Sequence, residues 1–191
     1  MSLRHTLLRS AATIAALSVL SLSVSAQGGM AAMGNKPGQA PASPRDSVKA
    51  AVAGANIVID YGRPSKRGRE IFGGLGDMKW GMVWRTGANK ATHLTTSKTL
   101  LFGAQTVPAG TYTLYTLLDQ GGKWMLIVNK QTEQWGTEYD AKLDLVRIPL
   151  TVEQTPAVVE KMTIEVKPAG KGGTIAILWD RSSAHAAFTV K

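Results

Sequence analysis

Met162, Ile164 and Val166 alternate with Thr163, Glu165 and Lys167, and a period of two over that length belongs to a strand with one face buried and the other wet. Ile57, Ile59 and Tyr61 repeat the alternation against Val58 and Asp60, until Arg63-Pro64 ends the run, because proline brings no ladder donor and restricts the residue before it. Segments 92–97, 98–102, 111–118, 143–150, 174–179 and 184–190 read as further strands. Val107-Pro108-Ala109-Gly110 marks a turn between them, and so does Pro168-Ala169-Gly170-Lys171-Gly172-Gly173. The clearest hairpin joins 111–118 to 124–128 through Asp119-Gln120-Gly121-Gly122. Its second strand is apolar on both faces, which predicts a central position covered on each side. No heptad, internal repeat or long amphipathic helix interrupts this pattern.

About ten short strands with turns between them pack best as two layers. The expected fold is all-β, an antiparallel β-sandwich of jelly-roll-like form, with a closed β-barrel as the alternative. At 191 residues, 44% of them hydrophobic, the chain can bury one core but hardly two, so 44–191 is expected to be a single β domain. The connection 62–79 is long, glycine-rich and basic. A span of that kind inside a compact domain is functional or packs on its own side chains, and Ile71, Phe72 and Leu75 could supply the packing.

The N-terminal 26 residues predict a signal peptide. Arg4 and Arg9 precede an apolar run over 11–24 that closes on Ser23, Ser25 and Ala26, the layout of a leader cleaved after Ala26. The run is shorter than the roughly 20 residues that span a bilayer. There is no cysteine, which excludes a lipid-modified cysteine and a disulfide framework. A periplasmic or secreted protein follows, not a lipoprotein, with no transmembrane segment in the mature chain. Segment 27–43, with Gly28, Gly29, Gly34, Pro37, Gly38 and Pro41, reads as a flexible leader. The formal charge of +9 would suit nucleic acid in a cytoplasmic protein. Outside the cytoplasm it points away from nucleic acid, toward acidic glycans, lipopolysaccharide or membrane surfaces, or simply toward a soluble surface.

Residues 80–94 hold the densest polar and aromatic vocabulary in the chain. Arg85, with Arg63 and Arg69 from the preceding connection, offers planar forks to a carboxylate or phosphate. Trp80, Trp84 and Trp135 offer flat faces for a ring, and Thr86, Asn89 and Thr92 offer hydroxyl and amide partners. The expected ligand-binding set is Arg63, Arg69, Trp84, Arg85, Thr86, Asn89 and Trp135. Two structural alternatives stand beside it: Arg85 as the partner of Asp60 or Glu70, and Trp84 as core.

Beyond the expected signal peptide the histidines are His93 and His185, without the spacing of zinc ligands, so neither a metal nor a cofactor is expected. No Gly-x-Ser-x-Gly elbow occurs. Carboxylates among Asp60, Glu70, Asp77, Glu138 and Asp140 could in principle pair for glycoside hydrolysis. The reading is a binding module for an acidic or sugar-like small molecule or anionic glycan. An envelope hydrolase acting on glycans and a purely structural or interaction protein are the alternatives.

Several motifs follow one another in order: Tyr61-Gly62-Arg63-Pro64-Ser65, Gly68-Arg69, Ile71-Phe72-Gly73-Gly74, Val83-Trp84-Arg85-Thr86-Gly87-Ala88-Asn89, Ala91-Thr92, Pro108-Ala109-Gly110-Thr111-Tyr112, Asn129-Lys130 and Gln134-Trp135-Gly136. Together they resemble the bacterial secreted domain-of-unknown-function family 2911, from about Ser43 to the end. The Trp-Arg-Thr-Gly-Ala-Asn run is the specific part. The resemblance implies an exported, mostly β domain with no established activity. Lys90 stands where the family pattern implies an acidic residue, which makes this version of the motif more basic.

Overall fold

The computed structural model describes residues 41–74 and 78–191. The expected signal peptide 1–26 and most of the expected leader 27–43 lie outside the described residues, as does Leu75. Among the described residues eleven strands form two antiparallel sheets that do not close into a barrel. The larger sheet runs β1 (Arg45–Val52), β2 (Ala55–Gly62), β4 (Thr92–Thr96), β7 (Gly110–Leu117), β8 (Met125–Asn129) and β9 (Asp144–Pro149). The two-residue β3 (Val83–Trp84) continues the β4 edge of β7. The smaller sheet runs β10 (Thr151–Ala169), β11 (Gly172–Val190), β5 (Leu100–Phe102) and β6 (Gln105–Val107).

Alternation decides which face of each strand meets the other sheet. Ile57 and Ile59 on β2, Leu94 on β4, Leu114 on β7 and Leu126 and Val128 on β8 are buried against Met162 and Ile164 of β10 and Ile175, Ile177 and Trp179 of β11. Trp84 stacks on Trp179 from the opposite sheet, with ring centroids 5.8 Å apart and planes 22° apart. Phe72, from the long 62–79 connection, sets its ring edge-on to both, at 6.0 and 6.2 Å, and lies 4.7 Å from Trp124. The connection thus packs on its own apolar residues, Ile71 being fully buried and Phe72 partly so.

Two departures from the sequence reading concern length. Strands expected at 174–179 and 184–190 are one continuous β11, bent where Asp180 takes φ 54°. Its partner β10 is equally long and carries register shifts between Gln154, Val159 and Thr163, bulges that let one strand bend without leaving its sheet. The strand β1 was not expected, because its polar residues alternate with the small or short Val48, Ala50 and Val52 rather than with large apolar ones. The strand β8 lies between β7 and β9 with Leu126, Ile127 and Val128 fully buried. Core covers one of its faces, and on the other the 130–140 loop lies over the neighbouring Tyr115 of β7.

Candidate functional site

Polar residues cross the wet face of the larger sheet in register: Ser47 pairs with Asp60, Asp60 with His93, His93 with Thr113, Thr113 with Asn129, and Asn129 with Asp144. Because these positions share one side of successive strands, their side chains gather on a single surface. Over the β7–β9 half of the row the 130–140 loop is strapped down. The Thr113 hydroxyl donates to Gln131 O at 2.6 Å, Asn129 Nδ2 donates to Asp140 O and Asp144 Oδ1 at 2.9 Å, and the Tyr115 hydroxyl donates to Glu138 O at 2.7 Å. Tyr139 packs on Tyr115 at 4.8 Å, and its hydroxyl donates to Asp144 Oδ2 at 2.7 Å.

Over the β1–β4 half the row stays open. A cleft of about 640 Å³ lies there, lined by Asp60 and His93 of the sheet, by Glu133, Gln134 and Trp135 of the loop, and by Arg45 and Lys90. Arg45 pairs with Asp60 and donates to the carbonyls of Lys90 at 3.2 Å and Ala91 at 3.1 Å, so its fork is committed to the protein. Trp135 is 46% exposed. Gln134 is buried, and its amide nitrogen donates to Thr113 Oγ1 at 3.1 Å and to the Tyr115 hydroxyl at 3.0 Å. Two buried atoms of cleft-lining residues, His93 Nε2 and Gln134 Oε1, have no hydrogen-bond partner among the described residues. Burial holds the His93 imidazole below its ordinary value of 6.5; Arg45 pushes the same way and Glu133 opposes.

The specific motif builds the junction beside this cleft. Thr86 and Asn89 both take left-handed backbone, φ 52° and 64°, curling 85–89 into a tight loop pressed between two glycines. A side chain at Gly62 would collide with Ala88 O. One at Gly136 would lie 2.6 Å from Asn89 O and 2.8 Å from Arg85 Cδ. Gly136 N donates to Asn89 O at 3.0 Å, and Lys90 pairs with Trp135 as an isolated bridge. Three motifs that are distant in sequence therefore meet at one place, and their meeting sets where Trp135 stands.

A model of the family described as "Protein of unknown function (DUF2911)" matches residues 43–188. The chain belongs to this family. No curated protein and no solved structure matches it. In this DUF2911 domain the expected binding residues separate into several settings. Trp135 lines the cleft, and half-buried Arg85 runs beneath its neighbour Gly136. Asn89 is exposed at the junction, with Nδ2 3.4 Å from Ser43 O. Trp84, 1% exposed, lies in the core. Thr86 is buried too, its hydroxyl 2.8 Å from that of Thr116.

The two remaining arginines of that set are elsewhere. Arg63 holds the seam between the sheets, with Nε donating to Met162 O at 2.9 Å, one terminal nitrogen to Thr163 Oγ1 at 2.9 Å and the other to Asp46 Oδ2 at 3.2 Å. Arg69 turns back on its own loop, to Lys66 O at 2.9 Å and Ser65 O at 2.6 Å, and borders a smaller cleft of about 270 Å³ with Ser43 and Arg67. Asp60 pairs with Arg45.

The sequence reading did not select Arg45, Lys90, His93, Glu133 or Gln134 as binding residues. Gln134 carried a signal, since it opens the Gln134-Trp135-Gly136 motif. The others meet only in the folded chain, Arg45 and His93 through strand register and Lys90 through its bridge to Trp135. Among the described residues no helix is long and apolar enough to cross a membrane, and no group of three or more His, Asp or Glu side chains could hold a metal ion.

Proposed function

We propose that this DUF2911 domain is a binding module of the cell envelope and that its site is the cleft between β1, β4 and the 130–140 loop. One observation carries the reading: a half-exposed tryptophan stands in a cleft lined by polar and charged side chains. A flat apolar face next to a few convergent polar groups suits a ring-bearing, acidic or sugar-like ligand. Lys90 and Glu133 stand at the border for further contacts. The hydrolase alternative would draw on Asp60 and Glu133, the two carboxylates on this cleft, but Asp60 is bound by Arg45, and that commitment favours binding over acid–base work.

Thermal-shift measurements against acidic sugars, neutral oligosaccharides and peptidoglycan fragments should give a ligand-dependent rise in melting temperature. Trp135→Ala should abolish that rise while leaving the unliganded melting temperature nearly unchanged. If no ligand shifts the wild type, the domain is structural and the binding reading falls. Export is part of the same proposal, supported by the order of Arg4, Arg9, the apolar run and Ala26. Intact-mass analysis of the periplasmic or secreted protein should find residues 1–26 removed, and a mature mass that retains them would refute export.

A further inference from the structure

Residues 66–69 form a tight turn that takes no part in the Trp135 cleft. Arg67 and Gly68 both have left-handed backbone, φ 50° and 69°, and Arg69 N donates to Lys66 O at 3.1 Å, the pattern of a type I′ turn. The turn brings the Arg69 side chain back on itself, so that Nε donates to Lys66 O at 2.9 Å and Nη2 to Ser65 O at 2.6 Å. Arg67 reaches the segment before β1, its Nη2 donating to Ala42 O at 3.3 Å. Ala42 and Ser65 line the cleft of about 270 Å³, as do Ser43 and both arginines. These bonds therefore put two guanidinium groups at one cleft, and both arginines are exposed.

This pair differs from its neighbours in what holds it. Arg45, Arg63 and Arg147 each close on a carboxylate, and Lys66, inside the same turn, closes on Asp180 at 2.7 Å. Arg67 and Arg69 are held by carbonyls and form no ion pair among the described residues. A carbonyl orients a fork without neutralising its charge. Two carboxylates stand close in the chain or in space. Glu160 Oε1 accepts the backbone N–H of Arg67 at 2.8 Å, and Glu70 lies beside Gly74; neither lines the cleft.

We propose that this cleft is a second site, independent of the binding reading above, and that it takes a phosphate group, free or as a monoester, between the Arg67 and Arg69 forks. A guanidinium carries five N–H groups, of which Arg67 uses one and Arg69 two. A phosphate monoester brings about −1.5 to −2 charges at pH 7 and three acceptor oxygens, which match two forks better than a single carboxylate does. The cleft falls below the roughly 300–1,000 Å³ of pockets that enclose drug-sized ligands, so it suits one anionic group better than a ring system.

The test follows amide chemical shifts of the ¹⁵N-labelled mature chain during titration with sodium phosphate, glucose 6-phosphate and sodium acetate at one fixed ionic strength. Phosphate is expected to give saturable shifts at Ser43 and 65–69 with a Kd of about 1 mM, and acetate to bind at least about fivefold more weakly. Glucose 6-phosphate separates the two sources: shifts at the same residues admit an ester, and shifts from inorganic phosphate alone confine the site to the free ion. Arg67→Gln keeps the backbone bond to Glu160 and should weaken phosphate about fivefold or more, the scale of a lost charge-assisted hydrogen bond. Arg69→Lys keeps the charge, removes the fork and should weaken it as well, whereas Lys123→Ala, at an exposed charge lining neither cleft, should not. Should Arg67→Gln fail to fold, Arg69→Lys and the site-resolved shifts of the wild type still decide. Equal binding of acetate, shifts that never saturate, or variants that bind phosphate as the wild type does would overturn the site. Phosphate shifts at Lys90 and 133–135 in place of 65–69 would overturn it too, while supporting the Trp135 cleft.

Discussion

His93 lies part-buried on the wet face of the larger sheet, close enough to Arg45 to feel its charge. Its folded pKa is depressed below 6.5, so over the interval between the folded and unfolded values the unfolded chain binds more protons. Stability then rises with pH across that interval. The contribution is fully present above about 6.5 and is lost as pH falls through the folded value. Melting temperature should therefore drop on acidification through this window, and His93→Gln should flatten the drop.

Tyr139 shows the opposite sign. Burial, then its hydrogen bond to Asp144 and that carboxylate's charge, push its pKa up to about 12 against the opposing effect of Arg147. The stability it contributes is complete below 10.0 and disappears as pH rises through about 12. Burial also raises Tyr61, Tyr112 and Tyr115, so all four tyrosines resist ionisation. Tyrosinate absorbance should show no step at pH 10.0 while the chain is folded, and a step there would contradict the packing described for these rings.

At the scale of elements, the 62–79 connection behaves as a strap. Arg63 donates to Met162 O, Thr163 and Asp46, Met162 N donates to Pro64 O, and Lys66 N donates to Glu160 O, so the end of β2 is laced to β10 of the other sheet. Arg63→Ala is expected to cost about 2 kcal/mol, because it breaks hydrogen bonds made by a charged group, and to leave ligand response at the cleft, which Arg63 does not line, unchanged. Loss of the response without loss of stability would return Arg63 to the binding site. Farther along the same strap, Phe72→Ala removes the ring that touches Trp84, Trp124 and Trp179 and should cost about 3 kcal/mol. Urea unfolding curves measure both.

For the whole molecule, the Trp84–Trp179 stack and the Arg63 seam join the two sheets, so the sheets are expected to unfold together. Far-ultraviolet circular dichroism and tryptophan fluorescence should report a single coincident transition. Trp179→Ala should destabilise it by about 3–5 kcal/mol, a large share of the roughly 5–15 kcal/mol typical of such domains. Two separated transitions in the wild type would mean that the sheets unfold independently.

Fold class was legible in the sequence because a strand states its buried face locally: Ile57, Ile59 and Tyr61, or Met162, Ile164 and Val166, alternate whatever their neighbours are. The family was legible for a related reason. Its glycines and left-handed residues lie in short runs, and those runs build a junction in which only Gly62 and Gly136 leave room for the 85–89 loop. The roles of the arginines and tryptophans were not legible, since Trp84 and Trp135 look alike as letters while one is 1% and the other 46% exposed. The cleft was decided by tertiary structure, since register sets Asp60 beside His93 on neighbouring strands while the junction at Gly136 sets where Trp135 stands. The orientation of Gln134 was decided by tertiary hydrogen bonding, because it depends on hydroxyls 19 and 21 residues away whose hydrogens go to other carbonyls.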